Sequence, residues 1–356
     1  MKGDVLTVEV YGASHASATG VKITGLPAGT EIDRAAIDAL LVRRRAVNAP
    51  WSTSRIEKDE YVFLAGVKDG VTDGGDVIAE IPNTNTRSSD YGEFRNVPRP
   101  SHADYAAMIK DGTCEVAPGG GRFSGRLTAP LCIAGGIAES ILKNKGVYVC
   151  AYVSSIGNAE GRSYKDGVPA REEVLEAQRF PLPALDKREE MLGEIIGAAS
   201  TGDSVGGTIE CVVYGLPAGI GDYMTDGMES AIAASVYGVP AVKGVEFGDG
   251  FSLSRMRGSE ANDPFAYEDG KVVTLTNRSG GINGGITNGM PLTLRVAMRP
   301  TPSIAKEQRS VNVLTGENVI LRIKGRHDAC IVPRAVAAVE SAVALAVLDK
   351  MLSEGK

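Results

Sequence analysis

The sequence feature that most constrains the fold is an internal repeat of low sequence similarity. The stretch "GLPAG" occurs at residues 25–29 and again at 215–219, each time after a strand-like run and before a helix-like run. A second pair, in residues 119–140 and 324–341, shares Gly-Arg, then Pro, then Glu-Ser inside an apolar helix. An ancient duplication giving two similar β-α halves is the simplest interpretation, and chance similarity of short motifs is the alternative. Under a duplication, the two Gly-Arg turns should lie in related places and face one site.

Hydrophobic spacing predicts several regular elements around these repeats. Alternating apolar residues indicate strands at residues 5–10 and 20–26. Apolar residues at helical spacing indicate helices over 34–45, 130–144 and 333–352. Asp33 is the candidate N-cap of the first helix. No Pro/Ser-rich tract, charge block or low-complexity segment separates independent parts of the chain.

Composition limits the classes of partner. Glycine accounts for 44 of 356 residues, well above the usual frequency of about 7%, which indicates many tight turns or a backbone that runs close to a ligand. The net charge of −6 excludes a general attraction to nucleic acid or to anionic membranes, so any basic site must be local. An RNA-binding protein using the arginines at 43–45 is an alternative, but 5% aromatic residues offer few stacking surfaces.

Three features predict a cytoplasmic location. The N-terminal residues contain no apolar secretory segment. No apolar run reaches the roughly 18 residues of a transmembrane helix. The five cysteines show no C-x-x-C spacing, so we expect buried thiols in a reducing compartment rather than disulfides or a zinc site.

The only three histidines, His15, His102 and His327, all lie in stretches rich in Gly, Pro or Ser. Loop side chains held by a rigid scaffold are often functional, and imidazole exchanges protons near neutral pH. Three exposed or hydrogen-bonded loop histidines are the alternative. A metal site is not expected, because no H-x-H or H-x-x-x-H spacing exists.

Basic residues and glycines cluster near the same places. Arginines stand at 43–45, at 95 and 99 before His102, and at 122 and 126 around Ser124. The planar guanidinium suits carboxylate or phosphate. For the run 43–45, a solvated helix end favoured by the helix dipole is the alternative. Glycine strings in 118–126 and 277–289 offer backbone N–H groups to a phosphate, although plain turns would look the same.

Taken together, the motifs resemble one family, the chorismate synthases. The motifs, in the family's order, are "GASHA" (12–16), "NTNTRSSDY" (83–91), "RPSHAD" (99–104), "GGRFSGR" (120–126), "PAVKGVEFGDGF" (240–251), "GGINGGITNGMP" (280–291), "RPTPSI" (299–304) and "GRHDACIVPRAV" (325–336). They span nearly the whole chain.

This resemblance implies a lyase that eliminates phosphate and the C6 proton from 5-enolpyruvylshikimate 3-phosphate in an anti-1,4 sense to give chorismate. The reaction, the last shared step of aromatic amino-acid biosynthesis, uses reduced FMN without net redox change. The implied fold is α+β, a single layered domain over 1–356 with two antiparallel sheets, packed helices and an internal pseudo-two-fold. Its halves would cover roughly 1–190 and 191–356. The resemblance also implies a homotetramer, because members of this family assemble from four identical chains. A divergent or non-catalytic flavin- and phosphate-binding paralogue is the alternative.

The resemblance also implies residue roles. His15 would be the acid at the phosphate, His102 would lie near the flavin, and Asp328 would be the base for the C6 proton. The residues implied to bind substrate are Ser14, Arg44, Arg126 and Arg326. Those implied to contact FMN are Arg122, Phe123, Ser124, Pro240, Ala241, Gly284, Arg299, Pro300, Thr301, Pro302, Ser303 and Arg326.

The chain departs from the family's motifs at several supporting positions, namely Ala13, Ala16, Pro50, Ser101, Phe123, Gly125 and Arg299. Because the implied chemical set is intact, we expect an active enzyme with altered supporting contacts. The compact chain suggests the monofunctional type, in which another protein reduces FMN with NADPH.

Overall fold

The computed structural model describes residues 1–47, 49, 52, 58–83, 95–323 and 328–356. The strands are β1 (Thr7–Gly12), β2 (Ala18–Thr24), β3 (Val62–Ala65), β4 (Val67–Lys68), β5 (Val71–Thr72), β6 (Val77–Pro82), β7 (Tyr148–Ile156), β8 (Ala159–Glu160), β9 (Gly207–Tyr214), β10 (Val242–Phe247), β11 (Phe265–Glu268), β12 (Lys271–Thr274), β13 (Ile282–Asn283), β14 (Ile286–Thr287), β15 (Leu292–Met298), β16 (Gln308–Asn312) and β17 (Glu317–Leu321). The helices are α1 (Arg34–Arg44), α2 (Asp104–Asp111), α3 (Thr128–Asn144), α4 (Arg171–Ala177), α5 (Arg188–Ser200), α6 (Met228–Tyr237), α7 (Gly258–Ala261) and α8 (Val332–Ser353).

Two antiparallel sheets enclose a layer of helices. One sheet has the order β1-β2-β6-β3 and the other β10-β15-β9-β7-β8. Helix α3 packs on β2 and β6, α8 packs on β7 and β9, and the two helices contact each other. The expected α+β layered fold is therefore confirmed.

The two sheets show the same topology. In chain order, β1, β2, α1, β3, β6 and α3 of the first half match β7, β9, α6, β10, β15 and α8 of the second. Gly25 and Gly215, the first residues of the two "GLPAG" stretches, both have positive φ, 93° and 74°. A Cβ at either would collide with a backbone carbonyl just before the first strand of its own half, at Val5 and at Gly146. We propose that the repeats meet between α3 and β7, earlier than the expected boundary near residue 190.

The helices and strands expected from the sequence are present. Asp33 caps α1 by accepting hydrogen bonds from the amides of Ala35 and Ala36, and Pro333 lies in the first turn of α8. Helix α8 is buried along almost its whole length, because β7 and β9 of the second sheet and the helices α1, α3 and α6 pack against it. Among the described helices, none combines the length and hydrophobicity that a bilayer crossing requires.

The cysteine prediction holds for four of the five residues. Cys132, Cys150, Cys211 and Cys330 are buried free thiols, whereas Cys114 is exposed. The expectation was wrong for Cys114 because it lies in the turn after α2 rather than in a core element.

Candidate functional site

The last residue of α1 enters a buried ion cluster. Arg44 Nη1 lies 2.8 Å from Asp59 Oδ2, and Arg126 Nη1 donates to the other oxygen of the same carboxylate. The Asp59 side chain is fully buried. Burial alone would raise the pKa of Asp59, but the charges and hydrogen bonds of the two guanidinium groups hold it below its usual value. We call Asp59, Arg44 and Arg126 the pocket cluster.

The pocket cluster borders a cavity of about 220 Å³. Arg44 and Arg126 line it, together with Thr128 and Arg334. Thr128 also accepts a hydrogen bond of 3.1 Å from Arg44 Nε, which fixes that guanidinium at the cavity wall. Guanidinium groups stay charged at physiological pH, so the cavity suits a small anionic group.

Arg43 is directed to a different place, although it adjoins Arg44 in sequence. It forms a buried ion pair with Glu340 on α8. Glu340 also accepts hydrogen bonds of 2.7 Å from the Ala151 amide and from Gln178 Nε2. Because Arg43 and Arg44 are both enclosed and paired, the alternative of a solvated helix end is wrong for these two residues.

A second carboxyl group lies beside this pair. Glu139 on α3 is buried and lies close enough to Glu340 for the two carboxyl groups to interact electrostatically. Burial and the neighbouring charge of Glu340 raise the pKa of Glu139 well above its usual value, which favours the protonated form of this carboxyl group. We call Arg43, Glu139 and Glu340 the helix cluster. It holds the equivalent Glu-Ser motifs of the two halves in contact.

The turn after β1 carries Ser14 and His15. Ser14 Oγ donates to the Pro118 carbonyl at 3.1 Å and lies 3.0 Å from His15 Nδ1. Since the single hydroxyl hydrogen is used at Pro118, Ser14 accepts from an Nδ1–H of His15. This contact fixes the orientation of the His15 ring through Nδ1.

Asn83 attaches this turn to the pocket cluster. Its Nδ2 donates to the carbonyls of Ala13 and Ala16, at 3.1 and 2.8 Å, and its Oδ1 accepts from Arg126 Nε at 3.2 Å. These contacts use only the backbone of residues 13 and 16. The departures from the family motif at the two alanines are therefore compatible with the turn.

A larger cavity of about 640 Å³ adjoins the first. Its wall includes His102 and nine of the residues implied to contact FMN, namely Arg122, Phe123, Ser124, Pro240, Ala241, Arg299, Thr301, Pro302 and Ser303. Pro300 and Gly284 do not line it, since Pro300 is exposed beside it and Gly284 lies in the turn between β13 and β14.

Glycines let both histidines approach this cavity. A Cβ at Gly119 would lie 2.4 Å from His15 Cε1, and one at Gly120 would lie 3.3 Å from His102 Cε1. Both glycines have positive φ. The turn therefore needs glycine for its backbone and for the space that the two imidazole rings occupy.

Asp328 lies on the wall that the two cavities share, as do Ser124 and Pro240. Its Oδ2 is 2.7 Å from Nη1 of Arg334. Arg334 Nε donates in turn to the Arg44 carbonyl at 3.1 Å. Burial lowers the pKa of the Arg334 guanidinium, a shift that the nearby Asp328 charge opposes. Arg334 thereby ties the carboxylate to the end of α1.

Sequence reasoning missed several residues of this site. Asp104 and Arg334 stand inside motifs that were noticed, but their partners could not be read from the sequence. Lys243 lines the larger cavity and lies in the "PAVKG" motif. Asp59 belongs to none of those motifs. Arg326 and His327 lie outside the described residues, so their predicted roles are not tested.

Across the described ranges, no three His, Cys, Asp or Glu residues are arranged to hold one metal ion. The arrangement instead combines an arginine-lined cavity, a larger mixed cavity whose wall includes His102, and the Asp328 carboxylate on the wall that the two share. It can bind an anionic molecule beside a larger group and move protons between them.

Comparisons with known proteins give one family. The chorismate synthase family model matches residues 6–352. The chain is 45% identical to a chorismate synthase of Thermococcus gammatolerans over 352 residues, covering 99% of this chain and 97% of that one. It is 44% identical to one of Lancefieldella parvula, with 99% and 96% covered. A crystal structure of chorismate synthase superposes with a TM-score of 0.75 at 25% identity, covering 99% of this chain and 93% of the other.

Proposed function

Since the chain belongs to the chorismate synthase family, and its activity is the lyase reaction of that family, we propose how its residues perform the reaction. The 220 Å³ cavity binds 5-enolpyruvylshikimate 3-phosphate, and the adjoining 640 Å³ cavity binds reduced FMN. The observation that carries this proposal is the position of Asp328 on the wall common to both cavities. The alternative of a non-catalytic paralogue is not favoured, because relatives at 44–45% identity are named chorismate synthases.

The pocket cluster binds the anionic groups of the substrate. Arg44 is fixed through Thr128 and Asp59, and Arg126 through Asn83 and Asp59. Fixed guanidinium groups stabilise the charge that develops on a departing phosphate without reorganising during the reaction. Ser14 and Arg326 complete the predicted substrate contacts.

The larger cavity fits FMN. Phe123, Tyr237 and Pro240 offer apolar surface for a planar ring, whereas Arg122 and Lys243 offer cations for a phosphate. When bound, reduced FMN supplies an electron-rich ring that assists departure of the substrate phosphate. The glycine turn that a Cβ would obstruct supports this fit. Contacts from Pro300 and Gly284 stay predictions.

Proton movements are assigned to two side chains. His15, oriented by Ser14 through Nδ1, donates a proton from Nε2 to the leaving phosphate. Asp328, held by Arg334, accepts the C6 proton at the boundary between substrate and flavin. His102 contacts the flavin edge. Acid and base thus act on separate parts of the substrate, as a 1,4-elimination requires.

The test supplies reduced FMN and the enolpyruvyl phosphate to the protein without oxygen, and follows chorismate by absorbance. We expect His15→Ala and Asp328→Ala to lose about 100-fold or more of turnover while keeping flavin binding. Asp203→Ala, at a surface pair with Lys306, is the control and should match the unchanged protein. Normal turnover of both site variants would refute the assigned roles.

We also propose that the chain does not oxidise NADPH itself, and that it assembles as a homotetramer. Exposed apolar side chains on the β11–β12 hairpin, Phe265, Tyr267 and Val272, support an intersubunit surface. Light scattering should show four chains, and Tyr267→Asp should lower that number.

NADPH oxidation by the pure protein with FMN would contradict the proposal that the chain does not oxidise NADPH itself. The cytoplasmic location stays a prediction.

A further inference from the structure

Asp104, the first residue of α2, has a carboxylate with four short contacts. Its Oδ2 accepts from the Arg99 amide at 3.0 Å and from Arg99 Nε at 2.7 Å. Its Oδ1 lies 2.8 Å from Arg99 Nη2 and 2.6 Å from His102 Nδ1. The side chain is only 3% exposed. A contact of this kind between a buried carboxylate and an imidazole can determine which ring nitrogen carries the hydrogen.

Two neighbours compete for His102 Nδ1. Arg99 Nη2 lies 3.1 Å away and can only donate, whereas an ionised Asp104 can only accept. Burial opposes ionisation of Asp104, but hydrogen bonds from Arg99 and His102 hold its pKa well below the usual value. The carboxylate is therefore ionised, and its shorter contact requires an Nδ1–H. Arg99 Nη2 has its own acceptor in the same carboxylate oxygen.

His102 lines the larger cavity, and the Nε2 edge of its ring lies against Gly120, which follows Gly119 of the same cavity wall. A Cβ at Gly120 would lie 3.4 Å from His102 Nε2. Because Asp104 occupies Nδ1, Nε2 is the nitrogen left to exchange a proton on the cavity side. The Arg99 guanidinium balances the Asp104 charge, so the main effect of Asp104 is on the orientation and tautomer of the ring.

We propose that Asp104 is the positioning residue of His102, fixing its Nδ1–H tautomer so that Nε2 faces the flavin cavity as the proton-exchanging atom. The tautomer is a property of the chain alone. Its catalytic meaning rests on the flavin site proposed above.

The first experiment records ¹⁵N spectra of the protein with labelled histidines and without FMN. With three imidazoles in the chain, His102→Asn identifies the His102 signals by their loss. At a pH where the ring is neutral, we expect a protonated Nδ1 and an unprotonated Nε2 at His102. An Nε2–H tautomer in the unchanged protein would overturn the proposal.

The second experiment uses Asp104→Asn, whose amide can donate as well as accept. We expect the His102 tautomer to shift toward Nε2–H, and kcat with reduced FMN to fall by about 10- to 100-fold with little change in KM for the substrate. Asp111→Asn, at the other end of α2, is the matched control for the spectrum and should leave the His102 tautomer unchanged.

The outcomes separate the two proposals. An unchanged tautomer in Asp104→Asn, or a shifted tautomer with normal kcat, would overturn the positioning role. Failure of the unchanged protein to bind FMN would instead overturn the flavin site, while the tautomer prediction for the chain would still be tested by its own spectrum.

Discussion

The helix cluster and the pocket cluster begin at adjacent residues of α1, but the first joins helices and the second lines a cavity. Arg43 points between α3 and α8, where it pairs with Glu340 and lies near the buried Glu139, whose pKa is raised. Arg44 points to a cavity, where it shares Asp59 with Arg126. Successive residues on a helix differ by about 100° in direction, so one arginine joins the two halves while its neighbour lines the substrate cavity.

The contrast between the two clusters separates structural ion pairs from functional ones. In the helix cluster, a carboxyl group can take up a proton. Protonation removes one buried charge, so the cluster needs no ligand to balance it. In the pocket cluster the guanidinium groups cannot lose theirs, and they border open volume. Arginines next to a cavity therefore indicate an external anion, whereas an enclosed arginine with two carboxyl groups indicates a joint between elements.

Loss of Arg43 should have the largest effect on stability. Arg43→Met removes the cation from between Glu139 and Glu340, and we expect the free energy of unfolding to fall by about 3–5 kcal/mol. Turnover per folded molecule should change little. Denaturant unfolding measures this, with Arg179→Met, a surface pair with Glu176, as the control that stays within about 0.5 kcal/mol. A stability equal to that of the control would break the comparison.

Arg126→Met should show the reverse pattern. We expect kcat/KM to fall by about 100-fold, equal to about 2.7 kcal/mol of lost charge-assisted hydrogen bonding in the transition state. The stability should decrease less than in Arg43→Met, because Asp59 keeps Arg44. Steady-state kinetics and unfolding on the same preparation provide the measurement. Arg162→Met, which loses only a surface pair with Glu173, should keep full activity. If Arg126→Met lowered the free energy of unfolding but left kcat/KM unchanged, the pocket cluster would have no role in substrate binding.

Titration of Glu139 should cause much of the change in stability with pH. Its folded-state pKa is raised, so its stabilising contribution is complete below the unfolded value of about 4.3 and is lost as pH rises through the folded pKa. We expect each pH unit between those values to cost about 1.4 kcal/mol. Glu139→Gln, which can donate to Glu340 at every pH, should flatten the dependence, whereas Glu176→Gln should not. Equal slopes of melting temperature against pH would refute this assignment.

Backbone strain distinguishes the two regions as well. Asp59, Ser101 and Ala241 have φ of 52°, 59° and 75°, and all lie at the pocket cluster or the larger cavity. The helix cluster lies on regular α-helices. Left-handed backbone at residues other than glycine costs free energy and often gathers at functional sites.

The smallest expected effect comes from relieving this strain. Ser101→Gly should raise the free energy of unfolding by about 0.5–1 kcal/mol, because glycine adopts positive φ without a steric cost. Ser140→Gly beside Glu139 in α3 should lower it by about 1 kcal/mol. Thermal unfolding of both variants checks the contrast. Destabilisation by Ser101→Gly would show that the serine side chain, not the backbone, matters there.

Much of this arrangement could be predicted from the sequence, and the limits have physical causes. The helix at Asp33, the repeated "GLPAG" turns and most of the flavin-cavity residues follow from local patterns and motif resemblance. The direction of Arg43 could not be predicted, because its partner is almost 300 residues away on α8. Asp59 could not either, since a single aspartate in a left-handed turn has no periodicity and its two arginines come from separate elements.

The central position of α8 has a consequence for biosynthesis. The strands of both sheets precede α8 in the chain, so they leave the ribosome first. Helix α8, which covers β7 and β9 and packs against α1, α3 and α6, emerges afterwards. Asp349 near its end also accepts hydrogen bonds from the amides of Asp4, Val5 and Leu6. The nascent protein therefore leaves the apolar surface of β7 and β9 uncovered until α8 is available, which makes this stage of synthesis the one most prone to aggregation.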